Sequence, residues 1–116
     1  MSFKVKPFAG NYELLYDGGY FREFSRHILY KLDGNLVRDF YQKILYRIDG
    51  HYIRDFYNKI LYTFDGKYLT PFAGQILFRV DGQYIRDYDQ HILYVVEGGP
   101  LSKEEWMALL VILAEK

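Results

Sequence analysis

Three imidazoles, His27, His51 and His91, are enough in number for a zinc site, but they stand far apart in the chain and nothing local is pre-formed. The chain has no phosphate loop, no Gly-x-Gly-x-x-Gly and no Gly-x-Ser-x-Gly. Its serines are Ser2, Ser25 and Ser102, and cysteine is absent. The absence of thiols excludes disulfides, thiolate metal sites and cysteine nucleophiles. What does recur is arginine beside an acid: Arg22/Glu23, Arg38/Asp39, Arg54/Asp55 and Arg86/Asp87. Neighbours in a strand point to opposite faces, whereas hydrolysis by paired carboxylates needs two acids converging on one bond. These pairs therefore read as structural, and no catalytic residue, metal or cofactor is expected.

Arg22, Arg38, Arg54 and Arg86 occupy one equivalent place in successive units, with Thr70 taking it in a deviant one. If the units encircle an axis, the arginines could converge into an anion-binding ring. The plainer alternative lays each stem on a neighbouring tyrosine ring and leaves the guanidinium in water. Tyr30, Tyr46, Tyr62 and Tyr94 form one tyrosine column, completed by Phe78; Tyr20, Tyr52, Tyr68 and Tyr84 form another, with Leu36 as its exception. Buried, they are core and need hydroxyl partners; exposed, they are an adhesive surface. Tyr46 and Tyr52, from the cleanest unit, join the four arginines as candidate ligand-binding residues.

All of these residues are placed by a repeat. Asp-Gly falls at 17, 33, 49, 65 and 81, then Glu97-Gly98, in a constant sixteen-residue step. The cleanest copy, Lys43 to Asn58, carries Ile-Leu-Tyr-x-x-Asp-Gly-x-Tyr-Ile-Arg-Asp-Phe. Enrichment in Ile, Tyr, Val and Phe, with Gly at the bends, predicts two short strands and two turns per unit. A three-residue loop Ile48-Asp49-Gly50 would pair Arg47 with His51 and Leu45 with Ile53, and would set Tyr46 facing Tyr52. A two-residue Asp-Gly loop is ranked second. The second turn, Phe56-Tyr57-Asn58, would pair Asp55 with Lys59, and likewise Asp39 with Lys43, Asp87 with His91 and Glu23 with His27. Asn58, and Gly74 at the equivalent place, tolerate positive φ.

Gly98-Gly99-Pro100 ends the repeats. Ser102 then fits an N-cap with Glu105 as its reciprocal partner. Trp106 to Ala114 is uncharged and almost wholly apolar, which suits a helix buried on most sides and is too short to span a bilayer. A single domain over 1–116 is expected: β-hairpin repeats over 3–98, a linker at 99–101 and a helix over 102–116. The fold class is mainly β, an antiparallel meander of short hairpins with one C-terminal α-helix. The hairpins could radiate about a pseudo-four-fold axis, close into a barrel filled by the helix, or lie open and twisted beneath it. The four-fold option rests on Pro7-Phe8-Ala9-Gly10 recurring as Pro71-Phe72-Ala73-Gly74, and His27 as His91, both four units further on.

The units Lys43 to Asn58 and Gln75 to Gln90 resemble the bacterial hairpin-repeat proteins described as four-fold β-flower domains. The resemblance covers most of residues 11–97 and implies a fold without a particular activity. A looser similarity is to the Tyr-Asp repeats of bacterial toxin shells and to aromatic repeats that bind cell-wall glycans, although the repeats here contain no Trp.

Charge narrows the partners. With 15 Lys+Arg against 15 Asp+Glu, binding of nucleic acid or anionic membrane by bulk electrostatics is not expected. The opening residues carry no apolar signal core, which points to the cytoplasm. The expectation is a non-enzymatic interaction or scaffolding module, binding an unknown protein or self-associating through Trp106–Leu113. The alternative is a binder of small anions or sugars through the Arg and Tyr columns.

Overall fold

A computed structural model describes residues 2–23 and 27–116; Ser25 lies outside them. Twelve strands are described: β1 (Ser2–Pro7), β2 (Leu14–Asp17), β3 (Tyr20–Glu23), β4 (Ile28–Asp33), β5 (Leu36–Asp39), β6 (Ile44–Asp49), β7 (Tyr52–Asp55), β8 (Ile60–Phe64), β9 (Tyr68–Pro71), β10 (Phe78–Asp81), β11 (Tyr84–Arg86) and β12 (Ile92–Gly98). Each pairs antiparallel with its neighbours in sequence, and β12 returns to β1, so the sheet closes into a barrel with six hairpins around its axis. The expected closure is present, while the pseudo-four-fold option is not. The four-unit echo marks two similar turns, β1–β2 and β9–β10, four places apart in a ring of six.

A barrel of about eight strands is filled by its own side chains, and a wider one needs something inside it. The interior here is occupied by α1 (Lys103–Ala114). Seven consecutive residues, Met107 to Leu113, are no more than 6% exposed. Consecutive positions point all round a helix, so α1 is enclosed by the wall rather than laid on it. Around it stand Val5, Tyr16, Phe21, Val37, Ile48, Ile53, Phe64, Leu69, Ile85 and Val96. Because Trp106–Leu113 fills the barrel, the expected self-association through this segment does not hold: it offers no apolar face to a second molecule. No helix among the described residues is long and apolar enough to cross a membrane.

The register differs from both sequence expectations. Asp49 pairs with Tyr52, Ile48 with Ile53, Arg47 with Arg54 and Tyr46 with Asp55. The loop is thus Gly50-His51, with φ of +63° at Gly50 and a negative φ at His51. A positive φ at the first central position alone is the type II′ arrangement, whose twist suits a hairpin. Tyr46 and Tyr52 consequently lie on opposite faces. The second turn does bring Asp55 to Lys59: the Asp55 N–H donates to the Lys59 carbonyl at 2.9 Å. Its third residue, Asn58, has φ of +71°, as do Gln42 at +70° and Gln90 at +74°, whereas Gly74 does not take this conformation.

A register shift separates Ile53 from Arg54, where Tyr62 and Ile60 are their partners and Leu61 is the extra residue. The same shift recurs at β3–β4, β5–β6 and β11–β12. In a β-bulge the extra residue breaks strict alternation, and Leu29, Leu61 and Leu93 pack on the core together with Tyr30, Tyr62 and Tyr94. Adjacent Leu and Tyr thereby serve one side of the wall.

The barrel seam joins β1 to β12, with Phe3 opposite Gly98 and Lys4 opposite Glu97. A Cβ on Gly98 would sit 2.7 Å from the Ser2 carbonyl oxygen and 3.0 Å from the Phe3 Cα, so glycine lets the two strands approach. Phe3 itself stacks on Tyr16 at 4.6 Å between ring centroids.

Candidate functional site

The arginines lie on the outer wall. Each is flanked along its strand by a fully buried residue, such as Ile53 beside Arg54, and strand alternation turns it away from the helix. Closure therefore does not gather Arg22, Arg38, Arg54 and Arg86 at the axis. Each is held within its own hairpin instead. Arg54 Nε donates to Asp49 Oδ2 at 3.2 Å, its Nη1 donates to the Asn58 carbonyl at 3.0 Å, and its guanidinium lies 5.5 Å from the Tyr52 ring centroid. Arg86 repeats this with Asp81 at 3.0 Å, the Gln90 carbonyl at 2.9 Å and Tyr84 at 5.6 Å. Arg38 reaches Asp33 at 3.4 Å and the Gln42 carbonyl at 2.9 Å, and Arg22 sits 5.4 Å from Tyr20. Tyr52 belongs to this outer wall, 42% exposed.

The sequence-neighbour acids serve the turns. Asp55 Oδ1 accepts from the N–H groups of Tyr57 at 2.8 Å and Lys59 at 2.9 Å, and Asp39 does the same for Tyr41 and Lys43 at 2.8 and 3.0 Å. These are Asx-type turns. They replace the expected side-chain ion pairs with Lys43 and Lys59. With histidine the side chains do meet, His91 Nδ1 lying 3.1 Å from Asp87 Oδ2 and His27 Nδ1 4.0 Å from Glu23 Oε2. His51 is at the opposite end of the barrel, its Nδ1 3.1 Å from the Phe64 carbonyl oxygen.

Tyr46 belongs to the inner column. It shares the barrel end where α1 emerges with Tyr30, Tyr62 and Tyr94, all packed on the core. The Tyr62 hydroxyl donates to Glu115 just beyond the helix, and Lys116 Nζ meets Glu13 Oε1 at 2.6 Å. Burial, then the Glu115 charge and Tyr30, pushes the Tyr46 hydroxyl up to about 12. Burial and the bond to Glu115 raise Tyr62 as well. At the other end of α1, burial and then Glu105 push Tyr16 up to about 12. These phenols stay protonated near neutrality, and two of them donate to helix-end carboxylates, Tyr62 to Glu115 and Tyr16 to Glu105. A cavity of about 140 Å³ opens beside Tyr30 at the end where α1 emerges, lined also by Glu13, Leu14, Leu29, Ile112, Leu113 and Lys116.

Around the end where α1 emerges runs a feature that none of the candidate residues belongs to. The turns β1–β2, β5–β6, β7–β8, β9–β10 and β11–β12 all lie there, since successive turns of a meander alternate between ends. They carry Phe8, Phe40, Tyr41, Phe56, Tyr57, Phe72 and Tyr88, each 56–86% exposed. Monomers rarely leave so much apolar surface in water at one end. Within a turn the rings brace each other edge to face, Phe40 on Tyr41 at 5.4 Å and Phe56 on Tyr57 at 5.5 Å. The signal was in the sequence: Phe8, Phe24, Phe40, Phe56, Phe72 and Tyr88 fall one repeat unit apart, Phe24 lying outside the described residues.

No curated protein and no solved structure matches the chain. The six-hairpin ring agrees with a family match: residues 15–114, from β2 through α1, fit the family described as 6-fold beta flower protein, and the chain belongs to it.

Proposed function

We propose that this chain is a non-enzymatic interaction or scaffolding module whose working surface is the aromatic rim at the end where α1 emerges. The observation that carries this is the exposure of seven aromatic rings on one end of the barrel, at turns whose backbone is already fixed by Asp39 and Asp55. Rings on pre-ordered turns lose little freedom on binding. Elsewhere the molecule is largely satisfied: the interior by α1, the outer wall by the Asp–Arg–carbonyl ladders. Tyr41→Ser with Tyr57→Ser removes the two most exposed rings of the rim, at the cost of one edge-to-face contact in each turn. Cross-linking and affinity capture from the source cells should lose partners with the variant; the same partner set for both proteins would overturn this reading.

A second reading, binding of small anions or sugar acids on the outer wall, is favoured by Arg79. Its Nε is buried with no hydrogen-bond partner, while its guanidinium sits 5.1 Å from the Tyr68 ring centroid and opposite Arg86. An oxyanion between Arg79 and Arg86 would satisfy that donor. Thermal-shift measurements with millimolar phosphate and uronic acids should raise the melting temperature of the wild type and not of Arg79→Thr. No shift in either would exclude the outer wall as an anion site.

A further inference from the structure

We infer that the occupant of the aromatic rim is a second copy of this chain, laid rim to rim about a two-fold axis in the plane of the rim. This rests on the rim being the working surface, and three observations select the copy over other partners. The first is area. A fully buried aromatic ring contributes about 150–250 Å², so seven rings at 56–86% exposure present on the order of 900 Å². Two such faces in contact bury about 1,800 Å², the size of a stable, specific interface.

The second observation is charge. The molecule is formally neutral, so two copies meet without long-range repulsion. The rim itself is divided: exposed Lys43 and Lys59 lie on adjacent turns, and exposed Asp89 lies on the β11–β12 turn, two places beyond Lys59 in the ring of six. A two-fold axis passing through the intervening Phe72 turn lays the Lys59 turn of each copy on the Asp89 turn of the other. The third observation is symmetry. A two-fold contact presents one patch to itself, and a rim built from repeats of one turn places the rings of the Phe40 turn opposite Phe8 and those of the Phe56 turn opposite Tyr88. Neither a nucleic acid nor an anionic bilayer is matched by an edge that carries bases and acids together.

Sedimentation velocity of the full chain from micromolar to millimolar concentration tests this. The wild type should move from 13.9 kDa to twice that mass. Tyr41→Ser/Tyr57→Ser should remain monomeric at concentrations at least 30-fold higher and still unfold in one cooperative transition, because both rings lie mostly in solvent and each gives up only its edge-to-face contact with Phe40 or Phe56. Phe8→Ser/Phe72→Ser provides a second variant on other turns, so misfolding of one pair cannot mask the result. A wild type that stays monomeric at millimolar concentration overturns the proposal, as does a dimer that both double variants retain. A monomer that floats with neutral phosphatidylcholine vesicles overturns it in favour of a lipid surface. If the wild type is monomeric but the Tyr41/Tyr57 variant still loses cellular partners, the rim remains the working surface and only the second copy fails.

Discussion

A helix lying on a sheet has a tolerant face, whereas a helix inside a barrel has none, and alanine scanning of α1 separates the two. Leu109, Leu110, Val111, Ile112 and Leu113 span more than one full turn at 3.6 residues per turn, and all are 0–6% exposed. Leu or Ile to Ala at such positions removes three methyl or methylene groups and leaves a cavity the ring of strands closes only partly. The cost is about 2–5 kcal/mol for each. Val111→Ala loses two such groups and should cost about 1.5–2.5 kcal/mol. For a domain of this size a loss of about 3 kcal/mol corresponds to a fall of roughly 10–20 °C in Tm. Urea titration followed by fluorescence of Trp106, the single tryptophan, reads the change, with a constant denaturant slope confirming that one transition is being compared. The profile along the five positions should be uniformly costly, with no helical periodicity. If Leu109→Ala and Leu113→Ala, which share a face, each cost under about 0.5 kcal/mol, as surface changes do, then α1 has a free side and the enclosed-helix reasoning fails.

Three further outcomes follow from the wall. Gly98→Ala should cost about 3 kcal/mol or more, because its positive φ and the Ser2 and Phe3 backbone atoms both oppose a Cβ; Gly50→Ala, with open space around it, should cost only about 1–2 kcal/mol, and equal losses in thermal melts would refute the seam. Arg47 faces Arg54 directly, and in the next hairpin the same places hold Thr63 and Thr70. Arg47→Thr should therefore stabilise by about 0.2–1 kcal/mol, more in 10 mM than in 500 mM salt; a destabilisation independent of salt would be contrary. Tyr16 and Tyr46 ionise at about 12 in the folded chain against 10 unfolded. Their contribution is therefore complete below pH 10 and is lost as pH rises toward 12. Melts and phenolate absorbance should show unfolding and ionisation together in that window, and phenols titrating near 10 in a still-folded protein would contradict it.

The hairpins are legible in sequence because Gly50 and its equivalents must sit where φ is positive, and the helix because Ser102 and Glu105 form a reciprocal cap at its start. Register is harder. The three-residue and the two-residue loop that Asp-Gly suggests both end at Gly50, whereas the observed loop begins there, with Asp49 still in the strand. The bulge hides for a related reason: Leu61-Tyr62 reads as alternation onto two faces, and only the unpaired Leu61 lets both pack on the core. The number of hairpins around the axis depends on the curvature of the closed sheet, which no unit encodes alone. The inward or outward sense of the arginines follows from register, so the converging ring was lost with it. The rim aromatics recur once per unit in sequence, but burial and exposure give that same periodicity, and only the closed barrel shows which end of each unit faces water.

The repeat and the helix make opposite demands, and the rim is where they meet. Six near-equivalent hairpins present near-equivalent inner walls, but one helix cannot be equivalent to all of them, so its polar ends must single out particular units. Glu105 engages Tyr16, and Glu115 engages Tyr62, which fixes the rotation of α1 within an otherwise permissive ring. Tyr30 and Tyr94, equivalent to Tyr62 in sequence, stand near Lys116 instead, and Tyr30 borders the open space beside it. The end of the barrel where α1 emerges is therefore the place where repeated aromatic turns surround an unrepeated polar centre. A surface of that kind can be both adhesive, through its rings, and oriented, through the Glu115 and Lys116 side chains that break the six-fold equivalence.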